Sequence, residues 1–189
     1  MSAIVLVVLI GGVIAVAGLL SLAMGVYNSL VQVRNNMQKA FQNIDVLLKQ
    51  RHDELPKLID TCRAYMKHER EVLEALTRLR EHYEKSDSID EKIGLENEIN
   101  KKLSTITGRW EDYPELKASQ NFLQIQGRVS ELETKIADRR EFFNDSVNIY
   151  NIQIERFPDM LLAKVLAYQR HAFLAVPQED TRDVVMQFG

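Results

Sequence analysis

From Ala3 to Val26 the chain is one apolar run, relieved only by glycines and a single serine, Ser21. No charged side chain precedes Arg34. About 20 apolar residues suffice to cross the hydrocarbon core of a bilayer as a helix. Residues 1–26 are therefore expected to form a transmembrane anchor. From Tyr27 the pattern changes to a three-four alternation. Leu30, Val33, Met37, Phe41, Ile44 and Leu48 form one stripe, the mark of an amphipathic helix. No proline or glycine lies between Tyr27 and Leu55, so the anchor and the first water-facing helix read as one rod. At about 1.5 Å per residue, some fifty residues would extend roughly 75 Å.

Pro56 interrupts that stripe. A proline cannot donate to the carbonyl four residues back and crowds it, so a kink, or a stop and restart, is expected there. Further stripes follow: Leu58, Cys62, Tyr65, Met66, Leu73, Leu76 and Leu79; then Ile93, Ile99, Leu103 and Ile106; then Phe122 to Ile154. Polar turns at residues 84–88 and 112–114 separate them, and Ser88 with Glu91 reads as a capping box. The predicted helices cover about 27–54, 56–84, 89–108 and 115–156. Each stripe needs burial against the others, which predicts an all-α chain: a transmembrane helix continuing into an antiparallel, coiled-coil-like, up-and-down four-helix bundle over 27–157. Residues 158–189 read as an apolar tail with a short helix, lying on the bundle, the membrane or a neighbouring subunit.

Composition narrows this picture. Of 189 residues only 8 are Gly and 4 Pro, which favours long helices, and a net charge of -3 gives nucleic-acid binding no support. Cys62 stands alone and can form no internal disulfide. A cleaved leader is the rival reading of the N-terminus, with Ser21-Leu22-Ala23 imitating a cleavage site. Such leaders carry a basic n-region and an apolar core of about 7–15 residues; this run has no preceding Lys or Arg and is longer. The first cations after it, Arg34, Lys39, Lys49 and Arg51, predict a cytoplasmic bundle and an external N-terminus. Ala17, Ser21 and Gly25 share one face of the anchor, where small residues allow close helix approach, although such residues are also common in membrane spans. Phe173 and Phe188 in the tail are further candidates for oligomer or membrane packing.

Catalytic patterns are absent from the sequence. His68-Glu69 starts a zinc-protease pattern, but residue 72 is Val. No histidine has a glutamate three residues before it, as di-iron bundles require, and no phosphate loop or nucleophile elbow occurs. No cofactor, metal or catalytic residue is expected. Asp45, Arg51, Asp53, Arg139, Arg140 and Asn144 fall on or beside the apolar stripes and are read as a structural polar cluster that fixes register; an enzyme or ligand site built on Asp45, Arg51 and Arg140 is the competing reading.

The words Tyr27-Asn28, Ile44-Asp45-Val46, Arg51-His52-Asp53 and His68-Glu69 occur in the first half of the chain. Tyr113-Pro114-Glu115-Leu116, Ile136-Ala137, Arg139-Arg140, Asn144, Tyr150-Asn151 and Phe157-Pro158 follow in the second. In this order and spacing they resemble the LemA family. The span from Glu81 to Asp112 resembles it only loosely, and the tail is more apolar than is usual there. The resemblance implies a bacterial, single-pass, N-out membrane protein with a cytoplasmic helical bundle and no assigned reaction. A magnetosome membrane protein among the family's relatives implies a role in shaping or organising membrane. Self-assembly in the membrane, with lipid and further copies as partners, is the leading expectation. An adaptor or regulator of a membrane partner, such as a protease or signalling protein, is the alternative.

Overall fold

A computed structural model describes residues 3–175. The regular elements of the described residues are all helices. Helix α1 runs Ala3–Tyr65, α2 Arg70–Lys85, α3 Ile89–Thr107, α4 Pro114–Lys117, α5 Gln120–Glu155 and α6 Asp159–Val165, with 3-10 turns at Lys67–Glu69 and Trp110–Asp112. The long apolar N-terminal helix is present, and its apolar stretch is exposed from Val5 to Met24.

The expected break at Pro56 does not occur; α1 passes through it and ends at Tyr65. The reason lies on α2. Pro56 deprives the His52 carbonyl of its helical N–H, and the Arg80 guanidinium supplies the missing bond, donating to that oxygen at 2.9 Å. The chain instead reverses at Met66, whose side chain is fully buried, and a 3-10 turn leads into α2. The second helix therefore starts at Arg70 rather than 56. The expected fourth helix is also divided. Tyr113-Pro114 opens the short α4, and Ser119 caps α5, accepting from the Phe122 N–H at 3.4 Å. Ser88 caps α3 as expected, but only half of the box forms: the Glu91 carboxylate accepts from the Ser86 hydroxyl at 2.6 Å.

The chain divides into two compact units. Unit 1 takes the described part of Met1–Lys39 with Asp145–His171; unit 2 takes Ala40–Asn144 and the described part of Ala172–Gly189. Unit 2 holds the main core, in which Leu55, Leu58, Cys62, Met66, Leu73, Leu76, Ile99, Ile106, Leu116 and Phe122 pack together. Trp110 meets Phe122 edge-on at 4.9 Å. Within this unit α5 runs antiparallel to α1: Thr61 bonds Asn121, Glu54 pairs with Arg128, Arg51 with Glu133, and Phe41 meets Phe143. In unit 1, Gln153 donates to the Ser29 hydroxyl at 2.9 Å, and Leu30, Met37, Val147, Tyr150 and Ile154 are buried.

Helix α6 ends in a left-handed residue, Ala167, at φ 54°. The Tyr168 N–H reaches the Ala163 carbonyl at 2.9 Å and the Ala167 N–H reaches Lys164 at 3.1 Å, the paired bonds of a Schellman cap. Beyond it residues 168–175 form no regular element. In unit 1 the Asn151 carboxamide both donates to and accepts from the His171 backbone at 3.0 Å. In unit 2 Asn144 does the same for Leu174 at 3.0 Å, while Asn97 holds the Phe173 carbonyl and the Ala175 N–H. Three asparagines thus do for this segment what a neighbouring strand does in a sheet.

Candidate functional site

The polar centre of unit 2 is built on Arg51, which α1 carries into the interior with no exposure at all. A guanidinium in that position needs its donors satisfied. Arg51 donates to the Asn100 carboxamide oxygen at 2.9 Å and pairs with the carboxylates of Glu96 and Glu133. His52 meets the other Glu96 oxygen through Nε2 at 3.0 Å. Glu96 and Asn100 sit one turn apart on α3, and Glu133 on α5. Three helices therefore converge on one cation. The Nε of Arg51 and Nδ1 of His52 are buried without a partner.

Burial drives the His52 pKa down to about 3, and the positive charges of Arg51 and Arg80 add to the effect. The ring is neutral, and the Glu96 carboxylate on Nε2 assigns its proton to that nitrogen. Asp45 is buried enough to raise its pKa, yet the Lys49 ammonium and the Tyr83 hydroxyl, with Lys92 beyond, outweigh burial and hold it below the usual value. Tyr83 donates to Asp45 at 2.7 Å and is pushed well above its ordinary range by burial and then by that carboxylate. Cys62 is fully buried and its thiol is raised to about 11 by burial, partly offset by the Trp110 indole. Both His52 and Cys62 are buried, and the Arg51 centre joins α1, α3 and α5 through its ion pairs and hydrogen bonds.

The expected cluster is thus brought together only in part. Arg51 is its centre. Arg140 is buried and lines, with Asn100 and Glu133, an open groove of about 440 Å³ between α3 and α5. Asp45 forms a separate site with Tyr83, Lys49 and Lys92. Asn144 serves the segment after α6 instead, donating to the Leu174 carbonyl. Asp53 and Arg139 are exposed on the outer faces of α1 and α5, one position away from the buried rows occupied by His52 and Arg140. His52, Glu96, Asn100 and Glu133 are the members that the sequence reading left out. Glu96 occupies a slot of the α3 stripe between Ile93 and Ile99, and that interruption is the signal that marks it. Among the described residues, no group of three or more His, Cys, Asp or Glu side chains gathers as a metal site would require.

Ala17, Ser21 and Gly25 are exposed along α1. Phe173 is partly exposed beside the buried Leu174, and Phe188 lies outside the described residues.

Among the described residues these features define an all-helical fold with one N-terminal helix long and apolar enough to cross a membrane. Residues 40–188 match the LemA family, and the chain belongs to it. It is 26% identical over 159 residues to Protein LemA of Metamycoplasma hominis, covering 83% of this chain and 72% of that protein. It is 27% identical over 96 residues to magnetosome protein MamQ 2 of Paramagnetospirillum magneticum, and 26% identical over 96 residues to MamQ of Magnetospirillum gryphiswaldense. Each of those two matches covers 50% of this chain and 35% of the relative, about a third of its length.

Proposed function

We propose that this is a non-enzymatic, membrane-anchored helical protein that self-assembles and organises or shapes the bacterial cytoplasmic membrane. The observation that carries the reading is the unbroken passage of α1 from an exposed apolar stretch into the packed interior of unit 2. A continuous helix transmits orientation, where a flexible linker would not. Ala17, Ser21 and Gly25 present a face on which a second anchor can pack closely. The magnetosome proteins among the relatives support a membrane role. The flanking cations favour an external N-terminus, and the packing stripes favour an up-and-down bundle of α1, α2, α3 and α5.

Cysteine placed at Ser21 should cross-link between copies in native vesicles, and cysteine at Leu20 should do so far less. Equal cross-linking at both positions, or none at either, overturns self-assembly through this face. A stoichiometric heterologous partner captured by the same cysteine would favour the adaptor reading.

A further inference from the structure

Unit 1 carries an apolar surface that its own packing does not cover. Phe157, Leu161 and Val165 are 78%, 56% and 80% exposed. Leu161 and Val165 stand four residues apart on one face of α6, and Phe157 lies in the turn that leads from α5 into it. The opposite side of α6 is well held. Asp159 is buried and accepts from Gln153 and from Arg156, and Ala163 is buried. Leu161 and Val165 therefore project from an ordered element.

Its position says what covers it. The same Gln153 carboxamide that holds Asp159 also donates to Ser29 at 2.9 Å. Ser29 lies three residues past the apolar run that ends at Val26, about 4.5 Å along the helix. The start of α6 is thus pinned by one side chain to the foot of the anchor. Arg156 and Lys164 are exposed beside these side chains. Apolar side chains flanked by cations, held next to a membrane span, match the chemistry of the lipid interface, where acyl chains meet anionic headgroups.

We propose that Phe157, Leu161 and Val165 insert into the lipid interface as a second membrane contact, distinct from the anchor. This rests on the reading that residues 3–26 cross the bilayer. With the anchor it gives two points of attachment, which fixes the tilt of unit 1 against the membrane. A single spanning helix leaves that tilt to be set by other contacts.

The test uses the full-length protein in phosphatidylcholine–phosphatidylglycerol vesicles carrying an acyl-chain nitroxide. Cysteines replace Val13, Phe157, Leu161, Val165 or Leu123, one at a time, and each carries an environment-sensitive fluorophore. Cys62 is buried and stays unlabelled. Leu123 is exposed at the other end of α5 and serves as the aqueous reference. Labels at 157, 161 and 165 should be quenched to at least half the extent seen at 13, and the label at 123 should not be. Quenching at 13 alone, with water-like emission from 157, 161 and 165, overturns the second contact and leaves the anchor standing. Apolar emission from those three positions without lipid quenching also overturns it, in favour of a protein partner. Absence of quenching at 13 removes the membrane reading and this inference together.

Discussion

At the scale of single residues the most consequential side chain is Arg51. Its charge is buried, and its partners come from two other helices, so removing it leaves Glu96 charged and uncompensated. Arg51→Met should cost about 3–5 kcal/mol, whereas Arg51→Met combined with Glu96→Met should recover much of that loss. Chemical denaturation of both variants checks this, and additive costs would show that the two side chains do not act as a pair. His52 gives the same centre a pH dependence. Its ordinary pKa of 6.5 falls to about 3 on folding. Between those values the unfolded chain binds more protons. Stability is therefore full above 6.5 and is lost as pH falls toward 3, at no more than about 1.4 kcal/mol per pH unit. His52→Gln keeps a donor for Glu96 but cannot titrate, so its unfolding midpoint should change less between pH 7 and pH 5 than the native protein's. The sequence pattern located Arg51 because a charge sat beside an apolar row. It could not pair it, because Glu96 is 45 positions away and only the packing of α3 on α1 brings them together.

At the scale of elements, Pro56 and Arg80 exchange roles that local rules assign to one helix. The stripe through Leu58 and Cys62 was legible, as part of a helix expected over about 56–84. Its continuity across Pro56 was not, because the compensating donor lies 28 residues on. Conversely, the reversal at Met66 carries no glycine or proline to announce it; burial of Met66 and of Glu69, which pairs with Arg109, sets it instead. Arg80→Met should cost about 1–2 kcal/mol by stranding the His52 carbonyl. Pro56→Ala restores an N–H to that carbonyl, so Arg80→Met should be distinctly cheaper in the Pro56→Ala background. A double-mutant cycle showing no coupling would mean that Arg80 acts only through Glu84, its neighbour at 2.7 Å. The cap of α6 offers an opposite case. Ala167 sits where glycine is preferred, at φ 54°. No other residue is as free there, so Ala167→Gly should raise stability by about 0.5–1 kcal/mol and shift the thermal midpoint upward.

At the scale of the whole molecule, the candidate membrane span and the folded core draw on different residues. The core formed by Leu55 through Val129 lies in unit 2 and contains no residue of the apolar N-terminal run. That run contributes exposed side chains alone, from Val5 to Met24. In water such a surface is strongly unfavourable, at about 25 cal/mol per Å², whereas in lipid it is the natural state. The two properties should therefore separate. Removing residues 1–26 should abolish resistance to alkaline carbonate extraction, while cooperative unfolding of the remainder stays within about 1 kcal/mol of the full-length protein, as for changes outside a core. Circular dichroism against denaturant, beside extraction of both forms, measures each property independently. A truncated chain that no longer unfolds cooperatively would show that the anchor helps to hold the core. In that case α1 is a structural member of the folded domain along its entire length, and membrane insertion and domain folding form a single process.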